Sequence, residues 1–297
     1  MEAVYTIFFL LLILLAVGLV LSHTMTKRHT LAAARSPAEF GLAFEEVAFK
    51  SVDGLTLHGW WIPVEGSTRA VISLHGQGGS MDPDLPNVPP LHASGFNVLM
   101  FDFRAHGRSE GKVSTVGYLE RMDLLGAVEF LLKQKDMHRI GVLGFSMGGI
   151  VAMLTAPVCE GIDAVITDSG PAWLRHAVAV WGTERRIPMF HRTYGVPLWL
   201  ASFLAWLTFF ATSLRLGTNL FGYEPVYWVG KIAPRPILFI QGDQDQYVPP
   251  RDFEALYAAA GQGKEAWRVA GAGHCVIAQL YPEEFHQRII SFFNQTL

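Results

Sequence analysis

Ser146 stands in Gly-Phe-Ser-Met-Gly-Gly at 144–149, a serine among small residues. A short apolar run, Arg139-Ile140-Gly141-Val142-Leu143, precedes it, and Gly149-Ile150-Val151-Ala152-Met153-Leu154 follows. Buried strand, tight turn and apolar helix in that order form a nucleophile elbow. Side-chain-free neighbours permit the strained backbone such a turn needs, and the helix dipole favours negative charge developing beside the serine. G-x-S-x-G alone is a weak signal, because a chance match in a glycine-rich turn looks the same. A serine hydroxyl becomes a nucleophile only with a base, a group that orients the base, and N–H donors for the oxyanion.

Candidates for those partners lie in a few polar clusters. Eleven histidines are present; His75, His106 and His274 fall in loops that follow apolar runs. Asp243 and Asp245 share Gly242-Asp243-Gln244-Asp245-Gln246-Tyr247-Val248-Pro249, and Asp168 ends another run. Cys275, beside His274, reads as a small packed residue. The glycine-rich His75-Gly76-Gln77-Gly78-Gly79 has no lysine in a P-loop arrangement, which disfavours a phosphate cradle. No metal-ligand spacing and no dinucleotide fingerprint is found, so no cofactor is expected.

These clusters need elements to position them. Glu45–Lys50 and Leu55–Val64 alternate around Val52-Asp53-Gly54, a hairpin signal. Residues 70–74, 97–101, 139–143, 164–168 and 236–240 are short apolar runs, as expected of strands buried on both faces. A further strand is expected near 266–269. Helical spacing marks 118–133, about 251–260 and about 282–294, whereas Pro83, Pro86, Pro89 and Pro90 should break any helix between the first two buried strands. Strands alternating with helices predict right-handed βαβ crossovers and a mostly parallel sheet covered on both faces. Each polar cluster follows a strand, at the carboxyl edge where such sheets carry their chemistry.

The 297 residues suffice for one large α/β domain with insertions, and a net charge of −3 provides no basic field for nucleic acid. Two cysteines, Cys159 and Cys275, make no disulfide framework. Residues Ala3–Leu21 hold no charged side chain and are long enough to cross a bilayer. Glu2 at the start and the length of the run favour a retained anchor over a cleaved signal peptide. Ala32-Ala33-Ala34 is poorly placed for cleavage, beyond Lys27 and Arg28. Lys27, Arg28 and Arg35 follow the span and none precedes it, so the positive-inside rule puts the main domain in the cytoplasm.

Residues 169–233 are too long for an ordinary connection and hold five of the eight tryptophans. The stretch 193–214 has no charged residue and resembles a second span. A single crossing there would split the sheet across the membrane. The segment is therefore expected to be a cap of helices over the active site, with spare apolar surface for the bilayer or for a greasy pocket. The expected organisation is a transmembrane anchor at 1–25, a linker at 26–39 and a catalytic domain at 40–297, with the cap at 168–233.

Four stretches together, HGQGG at 75–79, GFSMGG at 144–149, GDQDQYVP at 242–249 and GAGH at 271–274, resemble the α/β-hydrolase superfamily. DFRAHGRSEG at 102–111 adds to the likeness, which runs from about Phe40 to the C-terminus. Its esterase, lipase and serine-aminopeptidase-like members with an N-terminal anchor look most similar. The resemblance implies Ser146 as nucleophile, His274 as base and Asp245, the second acid of its loop, as the orienting carboxylate, with Asp243 as rival. It also implies an oxyanion hole from the backbone N–H groups of Gln77 and Met147. On that pattern His75 braces the loop that bears it, and Asp168 is structural. The expected activity is hydrolysis of carboxylic esters, with apolar or lipid esters near a membrane as substrates. A peptidase or an acyltransferase could use the same residues, and a non-catalytic binding protein is the remaining rival. Glu184 is the only acidic residue between Ser169 and Phe221, which argues against a pocket for a substrate's free amine.

Overall fold

Why strand follows helix through most of the chain is visible in the burial of each element. The computed structural model describes residues 1–31, 33–183, 186–189 and 192–297. Ala32 and Glu184, both weighed above, lie outside the described residues. An apolar helix α1 (Glu2–Met25) opens the chain. The hairpin β1 (Glu45–Lys50) and β2 (Thr56–Ile62) turns through Val52-Asp53-Gly54, and β3 (Arg69–Leu74) follows. The proline-rich connection is a 3-10 turn at Asp82–Asn87 and one short helix, α2 (Val88–Ala93). Pro83, Pro89 and Pro90 occupy first-turn positions, where a missing N–H costs nothing, and Pro86 lies inside the 3-10 turn. Next come β4 (Asn97–Phe101), α3 (Arg121–Gln134), β5 (Arg139–Phe145), α4 (Met147–Thr155) and β6 (Ala164–Asp168). Then follow α5 (Leu174–Thr183), β7 (Arg186–Met189), β8 (Arg192–Gly195) and α6 (Leu198–Leu216). The chain ends with β9 (Ile237–Gly242), α7 (Pro250–Ala259), β10 (Lys264–Val269), α8 (Ile277–Leu280) and α9 (Pro282–Thr296).

These elements form two compact units, residues 28–172 with 225–297 and residues 1–27 with 173–224. The larger unit holds an eight-stranded sheet in the order β1-β2-β4-β3-β5-β6-β9-β10. β1 pairs antiparallel with β2, and β2 with β4; the other neighbours are parallel. The mostly parallel sheet expected from the sequence is the observed one. Every residue of β4, β6 and β9 is buried, because helices cover both faces. The outermost strands keep charge on their exposed positions: Glu45, Glu46 and Lys50 on β1, Glu265 and Arg268 on β10. Such charges discourage edge-to-edge pairing with another chain. α9 buries Phe285, Ile289, Phe292 and Phe293, the one-sided spacing of an amphipathic helix, against a core that includes Trp60, Val98, Phe145 and Trp267.

The smaller unit departs from an all-helical expectation. Between α5 and α6 the chain makes an antiparallel two-stranded hairpin, β7–β8, with Arg186 opposite Gly195. Arg186-Ile187-Pro188-Met189 shows no period long enough to mark a strand. Within this unit α5 packs on α6 through Ala179, Ala201 and Ala205, and α1 also packs on α6.

One buried ion cluster fixes the loop after β4. Arg104, 2% exposed, donates from Nε and Nη2 to Asp123 Oδ1 at 2.9 and 2.7 Å, and its backbone N–H reaches Asp123 Oδ2 at 2.8 Å. Nη1 and Nη2 also donate to the two oxygens of Asp53 at 2.8 and 2.7 Å. The hairpin turn, the start of α3 and the loop of His106 are thereby tied to one guanidinium. Its loss would leave Asp123 buried and uncompensated. Arg104→Met is expected to cost about 3–5 kcal/mol, read as a lower denaturation midpoint of the purified full-length protein. The double variant Arg104→Met/Asp123→Leu should regain part of that loss, and an unchanged midpoint for Arg104→Met would refute the assignment.

Candidate active site

The parallel strands point their carboxyl ends to one edge of the sheet, and the loops leaving that edge bring the polar clusters together. Ser146 joins β5 to α4 with φ 51° and ψ −109°, a sparsely populated conformation for a residue with a side chain. Close packing imposes it. A Cβ on Gly148 would stand 2.2 Å from the Leu74 carbonyl oxygen of β3, and one on Gly144 would stand 2.4 Å from the Gly148 carbonyl carbon. Only glycine at these positions lets α4 start so close to the sheet. The Ser146 N–H donates to the Asp168 carbonyl at 2.9 Å, and the Ser146 carbonyl accepts from Ile150 at 3.1 Å, so the turn is held on both sides.

His274, between β10 and α8, has Nε2 2.9 Å from Ser146 Oγ and Nδ1 2.7 Å from Asp245 Oδ2. A carboxylate at Nδ1 assigns the proton to that nitrogen and leaves Nε2 to accept from the serine hydroxyl. Asp245 is buried at the turn after β9. Its Oδ1 accepts the backbone N–H groups of Tyr247 and Val248, each at 2.9 Å, and Gln241 Nε2 donates to Oδ2 at 3.2 Å. These three donors fix the carboxyl's orientation toward His274. Asp243 does something else: its Oδ1 accepts the Gly271 N–H at 2.7 Å and anchors the start of the His274 loop.

Met147 is the first residue of α4, so its N–H has no acceptor within the helix. The loop after β3 comes beside the serine, where a Cβ on Gly76 would lie 3.7 Å from Ser146 Cβ. Gln77, next in that loop, is fixed by its own side chain: Nε2 lies 3.1 Å from His29 Nε2, and Oε1 accepts from Ser114 Oγ at 3.3 Å.

Three imidazoles buttress this loop. His75 Nδ1 lies 2.7 Å from the Gly76 carbonyl, and its Nε2 accepts the Phe103 N–H at 3.0 Å. His106 Nδ1 lies 2.9 Å from the Arg104 carbonyl, and its Nε2 accepts the Gly78 N–H at 3.2 Å. The His29 ring stacks on His106 at 4.8 Å between centroids, and the His29 backbone N–H donates to the Ala105 carbonyl at 2.7 Å. His75 and His106 each use one ring nitrogen as acceptor, so each ring is neutral here. Burial pushes both down to about 4. Neither ring lies on Ser146 in the way His274 does. Sequence reasoning missed His29 and Ser114, which are 48 and 37 residues from Gln77 and belong to no motif.

Asp168 and Cys275 complete the surroundings. Burial raises the Asp168 carboxyl to about 7, and its Oδ1 accepts from Ser169 Oγ at 2.9 Å. Cys275 packs with Sγ 3.7 Å from the Asp168 carbonyl, its thiol pushed well up by burial. A thiol held protonated is a poor nucleophile.

The neutral histidines make a pH prediction. A ring whose folded pKa is depressed contributes stability that is complete above its unfolded value, near 6.5, and is lost as the pH falls toward about 4. Each ring is worth on the order of 1–3 kcal/mol over that window. His106→Gln retains an acceptor for the Gly78 N–H but does not titrate. Its thermal midpoint should fall less than that of the wild type between pH 7 and pH 4.5; an identical fall in both would contradict the role given to His106.

Comparison with known proteins agrees with this layout. A family model described as "Alpha/beta hydrolase family" matches residues 56–288. The uncharacterized protein YfhR of Escherichia coli O157:H7 is 26% identical over 266 residues, covering 85% of this chain and 81% of its own. The α/β-hydrolase domain-containing protein WAV2 of Arabidopsis thaliana is 30% identical over 235 residues, covering 76% of this chain and 69% of its own. Among solved structures, the Pyrococcus furiosus esterase Pf2001 superposes with a TM-score of 0.73 at 29% identity, covering 92% of this chain and 98% of the esterase. Sheet order, elbow and family match converge: this chain belongs to the α/β-hydrolase family.

Proposed function

We propose that the protein is a membrane-anchored serine esterase that cleaves carboxylic esters of apolar acyl groups through an acyl-enzyme on Ser146. The observation that carries this reading is the position of the His274 ring, 2.9 Å from Ser146 Oγ on one side and 2.7 Å from Asp245 on the other. In the first half-reaction His274 Nε2 takes the hydroxyl proton as Oγ attacks the ester carbonyl. The tetrahedral oxyanion is received by the N–H groups of Met147 and Gln77, at the start of α4. His274 then gives its proton to the departing alcohol. In the second half a water, deprotonated by the same ring, releases the acid and restores Ser146. Asp245 stays ionised throughout and stabilises the imidazolium. Similarity to the Pyrococcus furiosus esterase supports ester chemistry over other uses of the same three residues.

The membrane part of the reading is supported by α1. Val4–Met25 provides a 22-residue, predominantly apolar helical stretch, about 33 Å of helix against a hydrocarbon core of about 30 Å. Lys27, Arg28 and Arg35 beyond it support a cytoplasmic position for the catalytic unit. An enzyme held there meets esters that partition into lipid, such as monoacylglycerols, lysolipids or acylated membrane components.

A fluorophosphonate probe should label the full-length protein in membranes, and Ser146→Ala should abolish labelling; an unlabelled wild type would end the esterase reading. Asp245→Asn should lower ester turnover by roughly 10³–10⁴-fold, whereas Asp243→Asn, which keeps an Oδ1 acceptor for the Gly271 N–H, should stay within about tenfold; the reverse order would move the acid to Asp243. Across p-nitrophenyl esters, kcat/KM should rise with acyl length from acetyl to decanoyl. Preference for acetyl would remove the lipid substrate while leaving the esterase.

A further inference from the structure

We propose that α6 is a second membrane-embedded helix, packed parallel to α1, and that the acyl chains of the bilayer cover its exposed face. This rests on the reading of α1 as a membrane helix and adds a partner for it.

The pairing is drawn by three contacts. A Cβ on Gly18 would stand 2.9 Å from Leu207 Cγ and 3.2 Å from Ala211 Cβ, so the two helices touch backbone to side chain there. Thr212 Oγ1 lies 2.8 Å from Ser22 Oγ, and Arg215 donates to Thr26 Oγ1. From Gly18 to Ser22 to Thr26 the partner positions advance from Leu207 to Thr212 to Arg215, so the helices run in the same direction. Among the described residues of α1 and its C-cap the buried positions are Gly18, Ser22 and Thr26, one stripe at i, i+4 and i+8, while Leu10, Leu14, Val17 and Val20 face outward. Small residues that allow close approach, with hydroxyls bonded across the seam, are how helices associate where no water drives them together.

The free face of α6 matches that of α1. Trp199, Phe203, Trp206, Phe210 and Leu214 are exposed, Trp199 by 72%, in a continuous stripe of steps of three and four. With 19 residues α6 spans about 28 Å, and no charged residue lies between 193 and 214. Arg215 is the first charge. It lies level with Thr26, just before Lys27 and Arg28 in α1's sequence. The cations of both helices therefore meet at one end of the pair, as one bilayer boundary requires. In water this stripe would be an exposed apolar patch of a kind that soluble monomers avoid.

The objection that a crossing here splits the sheet does not hold. Leu174 N–H donates to Glu224 Oε2, so the segment 173–224 starts and finishes at one point. It goes out through α5 and returns through α6. Ala172 and Val226 are also hydrogen-bonded, at 3.2 Å, so the two halves of the sheet unit adjoin at the same place. An excursion of this kind re-enters the bilayer without crossing it.

The test uses full-length protein in phosphatidylcholine nanodiscs that carry a diazirine on the acyl chain, with adducts mapped by peptide mass spectrometry after irradiation. Adducts are expected on 198–216 within about tenfold of those on 2–25, concentrated at Trp199, Phe203, Trp206 and Phe210. Adducts on 2–25 alone would overturn the proposal and leave the anchor standing. No adducts on either helix would overturn both. The pairing is read separately: Ser22→Cys/Thr212→Cys should form an intramolecular disulfide on mild oxidation in membranes, and adding Gly18→Leu should reduce it severalfold. Failure of the double cysteine variant to cross-link in membranes would refute the parallel seam.

Discussion

The strained turn at Ser146 is the constraint on which the rest of the site depends. A residue with a side chain holds φ 51° and ψ −109° only when its neighbours leave it no alternative. Here the neighbours are backbone: Gly148 against the Leu74 carbonyl, and the Asp168 carbonyl accepting the Ser146 N–H. The packing of β3, β5 and β6 thus sets where the hydroxyl points. The loops after β9 and β10, both beyond β6 in the sheet, bring Asp245 and His274 to meet it. That geometry is made of sheet register and close approach, which makes it stiff, and stiffness is what preorganised catalysis requires.

The loop of Gln77 is held by a different kind of force. It follows β3 with glycine on both sides of Gln77, and its position comes from hydrogen bonds to neutral imidazoles. His75 and His106 form a layer in which each buried ring has one role as donor and one as acceptor, and His29 stacks on His106 and meets Gln77 Nε2. A charged ring would lose its acceptor nitrogen and release a backbone N–H. The same layer carries Arg104 at its base, so the hairpin turn, α3 and the loop after β4 are one polar assembly beneath Gln77.

Much of this was legible in the sequence, and the reason is local. Buried parallel strands read as unbroken apolar runs, and the loops leaving their carboxyl ends collect the polar residues, so Ser146, His274 and Asp245 could be nominated together, as could the proline-broken connection at α2. The choice between Asp243 and Asp245 leaned on resemblance. In the structure their difference is which group of the 271–274 loop each carboxylate meets, the His274 ring for Asp245 and the Gly271 N–H for Asp243, a matter of three-dimensional direction. The β7–β8 hairpin, the stacking of His29 on His106 and the seam of Gly18 with Leu207 had no local signature. The first is local but its four-residue strands are too short to show a period; the other two join residues that only the fold brings together.

The central claim is that Ser146 carries an acyl group during turnover. It is tested most directly by mixing the full-length protein with p-nitrophenyl octanoate, quenching in acid within the first turnovers and mapping the peptides by mass spectrometry. The account predicts an octanoyl adduct on Ser146, formed with a burst of p-nitrophenol and absent from Ser146→Ala. Hydrolysis of the ester at full rate by Ser146→Ala, or an adduct on another residue, would contradict it.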